Sequence, residues 1–331
     1  MQSLPHMTLR ARRTACAFGL GIHLFLAAGA SAQQLPPGFF PESLAIAADG
    51  TLFTGSATES SIVRVRPGAR GAEPFVAAGT GGLMSVQGLL ADDAAGRLYA
   101  CSADLGVART PKMPSALLAF DLSKGTLQGR WPLPGDGFCN DLARAPDGRL
   151  YISDSAQPRI LRFDPARSTL ISWITHPLLG GARFNGNGVA LDGGQLYLST
   201  FSDGRLLRVP LHADGGAGTP VVVPLPRPLA GGDALRTLSP GILLAFENDI
   251  DGGNGRATMV DLRSPRPSLT TFAEGLAEPV SGVVRGGHLI VVESQFGVLF
   301  GKRRGQANGP FALRRIALPT IPAAAGSAMT P

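Results

Sequence analysis

The sequence predicts an all-β chain. Gly 44 and Pro 27 stand against only 6% aromatic and 16% charged residues in 331, the make-up of many short strands and turns. Beyond about the first thirty residues no stretch sustains a helical period. One local design also returns six times along the chain, and such repeats decide architecture before any single motif does.

The design is clearest at Phe138 to Ser155. A polar pair, Asn140-Asp141, leads a short apolar strand; Pro146-Asp147-Gly148 makes the turn; a second alternating strand follows. Asp-Gly supplies the positive φ that a tight hairpin needs. The first repeat opens at Glu42, turns at Asp49-Gly50 and returns through Leu52 to Ser56; the second opens at Gln87 and returns through Arg97 to Ala100. The fourth leads with Asn187-Gly188, the fifth with Asp233 and the sixth with Ser281. Leaders fall 45 to 53 residues apart, the period of a propeller blade.

Each unit has room for two further strands. Ile62–Val65, Leu117–Phe120, Ile160–Phe163, Leu206–Val209 and Met259–Leu262 read as third strands; Phe75-Val76, Leu170–Trp173 and Val221–Val223 read as fourth strands. Six units of four antiparallel strands predict a six-bladed β-propeller, an all-β fold that protects its edges by radial repetition. A β-sandwich would not explain the period. Phe311 to Leu318 reads as the outer strand of blade six, which closes the ring without a strand lent by the N-terminus; Gln34 to Phe40 is the alternative lender.

Residues 1–32 read as a bacterial signal peptide: Arg10, Arg12 and Arg13, then apolar Ala15 to Ala28, then Ala30-Ser31-Ala32 as the cleavage site. A membrane anchor fits less well, because the apolar run is short and ends in small residues. The propeller then occupies 33–320, the Ala/Gly/Ser-rich tail 321–331 is expected to be disordered, and the location is periplasmic or secreted. Cleavage leaves 27 basic against 24 acidic residues, too even a balance to point to nucleic acid. Expected partners are therefore small molecules, with no nucleic acid, no membrane span and a monomeric chain. Cys101 and Cys139 remain after cleavage. Export permits one disulfide between them, and two buried free thiols are the competing reading.

The first strand of a propeller blade is innermost, so the leaders Glu42, Gln87, Asn140, Asn187, Asp233 and Ser281 are expected on one circle about the axis. All six offer oxygen, and two are carboxylates. That donor set suits one hard divalent cation, Ca²⁺ first, with Mg²⁺, Mn²⁺ or Zn²⁺ as alternatives. Two carboxylates facing a narrow channel without a cation would repel, and one would take up a proton. The plainer reading is a ring that holds water and satisfies backbone groups.

The order of leaders, Glu42, then Asn140-Asp141, Asn187-Gly188 and Asp233, resembles that of the regucalcin/gluconolactonase-like (senescence-marker-protein-type) sugar lactonases, over about residues 38 to 318. The resemblance implies Glu42, Asn187 and Asp233 as ligands of one divalent metal, with Asn140 beside them contacting substrate and water. It implies a metal-dependent lactone hydrolase. On that reading Asp233 and Asn140 are the expected catalytic residues, and Asn140, Gln87 and Phe138 are expected to contact a lactone or ester. The chain also departs from the pattern. Phe138 stands where sugar-lactone members often carry Arg, blade one reads Pro41-Glu42-Ser43, and blade five reads Asp233-Ala234. Phe138 and Met84 suggest an apolar mouth and put gluconolactone itself in doubt.

Two other functions compete: a non-catalytic propeller whose metal only pins the blades, and a propeller lyase or strictosidine-synthase-like enzyme. No Gly-x-Ser-x-Gly elbow supports a serine nucleophile. Asp249 to Gly255 resembles a calcium loop only faintly and reads better as a long hairpin, and Asp154 reads as a strand-end surface residue. Trp131 and Trp173 are expected to pack between blades, and loops 103–115 and 177–184 to shape the entrance.

Overall fold

The computed structural model describes residues 33–181, 184–251 and 254–321. The expected signal segment lies outside these residues, as does the expected tail from residue 322. Six four-stranded antiparallel sheets follow one another, arranged as a β-propeller. Blade one is Pro41–Ile46, Leu52–Ser56, Ile62–Val65 and Glu73–Val76; blade two is Ser85–Asp92, Arg97–Ala103, Ala116–Asp121 and Leu127–Pro132. Blade three is Cys139–Arg144, Leu150–Asp154, Arg159–Asp164 and Thr169–Thr175; blade four is Gly186–Asp192, Gln195–Thr200, Leu206–Pro210 and Val221–Val222. Blade five is Gly232–Ser239, Ile242–Glu247, Gly255–Asp261 and Ser268–Leu276. Among the described residues no helix is long and apolar enough to cross a membrane.

Blade six corrects the expected closure. Its inner strands are Pro279–Arg285 and His288–Glu293, Ala312–Ala317 is third rather than outermost, and the fourth strand is Gln33–Gln34. Gln33 pairs with Leu313 and Gln34 with Ala312. The same short strand reaches blade one, where the Gln34 N–H donates to the Arg70 carbonyl and the Ala72 N–H to the Gln34 carbonyl. An N-terminal strand therefore latches the last blade to the first.

Strand alternation explains the core. Leu98 packs towards blade one and the next residue, Tyr99, towards blade three; Leu150 and Ile152 face blade two while Tyr151 between them faces blade four. Buried on both faces, these strands are continuously apolar. The core is thus six wedges, one between each pair of neighbouring blades. Trp131 meets Phe163 of the next blade at 4.4 Å between ring centroids, and Trp173 donates to the Gly215 carbonyl of blade four, so both bridge blades as expected. Cys101 and Cys139 form a disulfide between blades two and three, with Cα atoms 5.1 Å apart.

The repeated leader has a backbone counterpart. In every blade the first and second strands lose register at the leader: between Pro41 and Ser43, Val86 and Leu89, Cys139 and Leu142, Gly186 and Val189, Gly232 and Leu235, and Pro279 and Ser281. A β-bulge frees a residue from the ladder and re-aims its side chain. Here it does so six times around one axis.

Candidate functional site

Lining up the bulges residue by residue puts Glu42, Gln87, Asn140, Asn187, Asp233 and Val280 at one position. Ser281, expected on this circle, belongs to the next position along with Ser43 and Asp141. The sixth place is a buried valine. Blade six thus offers no side-chain oxygen at this position, because its polar residue comes one step too late.

The other five leaders converge. Glu42, Gln87, Asn140, Asn187 and Asp233 line one cavity of about 270 Å³, and all five are buried. Serines on the second strands hold three neighbouring leaders in place. Ser153 Oγ accepts from the Asp141 N–H at 2.9 Å and donates to the Asn187 carbonyl of the next blade. Ser199 Oγ likewise accepts from the Gly188 N–H at 2.9 Å and donates to the Asp233 carbonyl at 2.8 Å. Each bulge exposes backbone groups that a buried site must satisfy, and these hydroxyls do so while fixing blade against blade. Gly188 is required by the close approach: a β-carbon there would overlap the Asp233 carbonyl oxygen. Gly88 is similar, since its β-carbon would lie 2.5 Å from the Asn140 carbonyl oxygen.

The side chains face the cavity with an excess of acceptors. Asn140 Nδ2 donates to Ser155 Oγ at 2.7 Å, which directs its Oδ1 away from that bond. Among the described residues Asn187 Oδ1 and Asn248 Oδ1 are buried without a hydrogen-bond partner. Asp233 Oδ2 accepts from Asn248 Nδ2 at 3.2 Å. Burial, then the charges of Asp233 and Asp141, hold the Glu42 carboxyl well above the usual range. Burial likewise pushes Asp233 up to about 7, against the opposing pull of Asn248 and Arg236. Two carboxylates and two unpartnered amide oxygens in one cavity are short of positive charge, which is how oxygen ligands stand without their cation. The donor set therefore fits the hard divalent cation that the sequence suggested. Among the described residues no three His, Cys, Asp or Glu side chains converge as a metal site, so the candidate set depends on asparagine oxygens. Gln87 differs, because its unpartnered atom is the donor Nε2.

A partly buried ion pair lies beneath the leaders. Arg236 of blade five reaches Asp141 of blade three at 2.7 Å and donates to Ser281 Oγ at 3.0 Å; Asp141 Oδ2 also accepts from the Val189 N–H at 3.1 Å. Beyond Arg236 the channel opens again into a cavity of about 310 Å³, lined by the later residues of the same first strands. The leader cavity thus has its own floor.

Several residues at the site were not expected from the sequence. Asn248, Phe201, Ile250, Phe296 and Phe300 line the cavity beside Phe138, Leu105 and Phe184. Asn248 and Phe201 each follow the last residue of a second strand, so counting register from second strands would have found them. Loops 103–115 and 177–184 contribute Leu105 and Phe184, as expected. Ile250 comes from the loop joining the second and third strands of blade five, the expected hairpin. Met84 does not line the mouth: it is buried in blade two, where its Sδ accepts from the Met113 N–H at 3.2 Å. Asp154 is fully buried rather than superficial; its Oδ1 accepts from the Phe138 N–H at 2.8 Å and its Oδ2 pairs with Arg159 at 2.8 Å. It anchors the backbone that carries Phe138.

No family model matches the chain, and no curated protein is similar to it in sequence. Solved structures are similar in fold. A gluconolactonase from Xanthomonas campestris aligns with a TM-score of 0.59 at 16% identity, over 87% of this chain and 88% of that one. The PQQ-bound aldose sugar dehydrogenase of Streptomyces coelicolor aligns with a TM-score of 0.57 at 17% identity, over 86% and 96%. Virginiamycin B lyase from Staphylococcus aureus aligns with a TM-score of 0.54 at 14% identity, over 76% and 77%. Three different activities on one architecture show the fold; function has to be argued from the site.

Proposed function

We propose that the chain is a metal-dependent hydrolase of lactones or related esters, acting in the leader cavity. One observation carries this reading: two buried carboxylates and unpartnered amide oxygens meet at the floor of an open cavity. Glu42, Asn187 and Asp233 are assigned as ligands of one divalent cation, with Ca²⁺ first by the chemistry of the oxygens, and Asn248 as an added oxygen. Bound there, such a cation supplies Lewis-acid polarisation of a carbonyl and neutralises the two acids.

The chain's own groups supply the rest. Asn248 holds Asp233 Oδ2, and Asp233 takes the proton from the attacking water, whose oxygen bonds to the carbonyl carbon. The ring C–O bond then breaks, and the proton passes to the leaving alkoxide. Asn140, turned by Ser155, orients water or substrate, and Gln87 Nε2 donates to a substrate oxygen. The gluconolactonase among the similar structures supports this reading at the level of fold. The Cys101–Cys139 bridge supports the proposal of a periplasmic or secreted location.

The competing role is a cation that only ties blades together, and the raised acids favour it equally. Turnover separates the two. A panel of aldono- and aliphatic lactones, assayed with Ca²⁺ and then with EDTA, is expected to show hydrolysis that EDTA removes. Absence of turnover in a calcium-loaded protein would leave the tie between blades as the surviving role.

A further inference from the structure

The cavity has two chemically distinct zones. Its ionisable groups, Glu42 and Asp233, sit at the floor; among the described residues the walls above them carry no charged side chain. Those walls are aromatic and aliphatic. Phe138 meets Phe184 edge to face at 5.8 Å, Phe184 meets Phe201 at 6.3 Å, and Phe296 meets Phe300 at 5.6 Å across from them. Phe184 is 40% and Phe300 41% exposed, although each continues into the lined cavity.

A polyhydroxylated ligand entering this space would give up hydrogen bonds to water and meet rings that return none. An alkyl or aryl group would leave water for a surface that is already apolar. The cavity volume, about 270 Å³, lies near the lower end of small-ligand sites, roughly 300 Å³ upward. A single small ring with one short apolar arm is of that order.

We infer that the substrate is an amphipathic lactone or ester. Its carbonyl is held at the acidic floor and an alkyl or aryl substituent lies against Phe138, Phe184 and Phe201. This rests on the hydrolase reading and narrows it to a substrate class. Phe184 acts as a specificity residue that touches the substituent and not the reacting carbonyl.

The test compares kcat/KM for δ-decalactone, δ-valerolactone and δ-gluconolactone with Ca²⁺ present, corrected for spontaneous opening. The pentyl arm of decalactone is expected to raise kcat/KM at least about tenfold over valerolactone, with gluconolactone below both. Phe184→Ser is expected to shrink the decalactone-to-valerolactone ratio severalfold. Equal rates for decalactone and valerolactone, or faster opening of gluconolactone, would overturn the inference. If no lactone is opened, the hydrolase reading fails and binding decides the ligand class. In that case 2-pentylcyclohexanone should raise the melting temperature more than cyclohexanone does, and equal shifts would refute the apolar site.

Discussion

Glu42 and Asp233 carry the electrostatic tension of the molecule. Both are buried, and both carboxyls are pushed above their ordinary range, Asp233 to about 7. A group whose folded pKa is raised stabilises the fold below its unfolded pKa, and that contribution is lost as pH rises through the folded value. The metal-free protein should therefore lose stability between about pH 4 and pH 7, and a bound cation should restore it. Thermal melts in EDTA are expected to fall by about 5 °C or more from pH 5 to pH 8, with Ca²⁺ flattening the profile. A metal-free melt that does not change over this range would contradict the assignment of these two acids. Asp233→Asn keeps the shape and removes the charge and the base. It should lower lactone turnover by about a hundredfold or more, while the metal-free melt at pH 8 stays level or rises.

At the scale of the element, the bulged first strand with its supporting serine is the working unit. Removing Ser199 Oγ leaves the Gly188 N–H and the Asp233 carbonyl without this partner. Ser199→Ala is expected to destabilise by about 1–3 kcal/mol and to weaken cation binding with it, measured by denaturant unfolding and calcium titration on the same sample. The bridge between blades two and three closes a separation of 38 residues. Reducing it should lower the melting temperature, in keeping with roughly 4 kcal/mol from chain entropy. Much of this unit was legible in the sequence, because turns and leaders are local signals: Asp147-Gly148 makes its turn with Gly148 at φ 87°, and five leaders reach the cavity. The sixth misled, since Val280 holds the ring position and the eye moves on to polar Ser281. Asn248 was hidden because it reaches Asp233 from the end of a second strand, and loop residues such as Phe296 and Ile250 obey no period.

The whole molecule depends on closing the ring. The period foretold six blades, but it could not foretell the latch. Gln33–Gln34 is two residues long and pairs with the far end of the chain, so no local pattern marks it. Leu35 beside it joins the wedge between blades six and one. A chain starting at Pro36 should melt several degrees lower than one starting at Gln33, whereas an unchanged melt would mean that the latch is dispensable. Closure also matters to the site, because leaders from five blades form one cavity only while the ring holds its diameter. Calcium titration calorimetry on EDTA-stripped protein tests that convergence most directly, beside Glu42→Gln and Asp233→Asn checked for folding. The prediction is one calcium bound per chain, with either substitution weakening it at least about tenfold. No calcium bound by the wild type, or the same affinity in both variants, would contradict it.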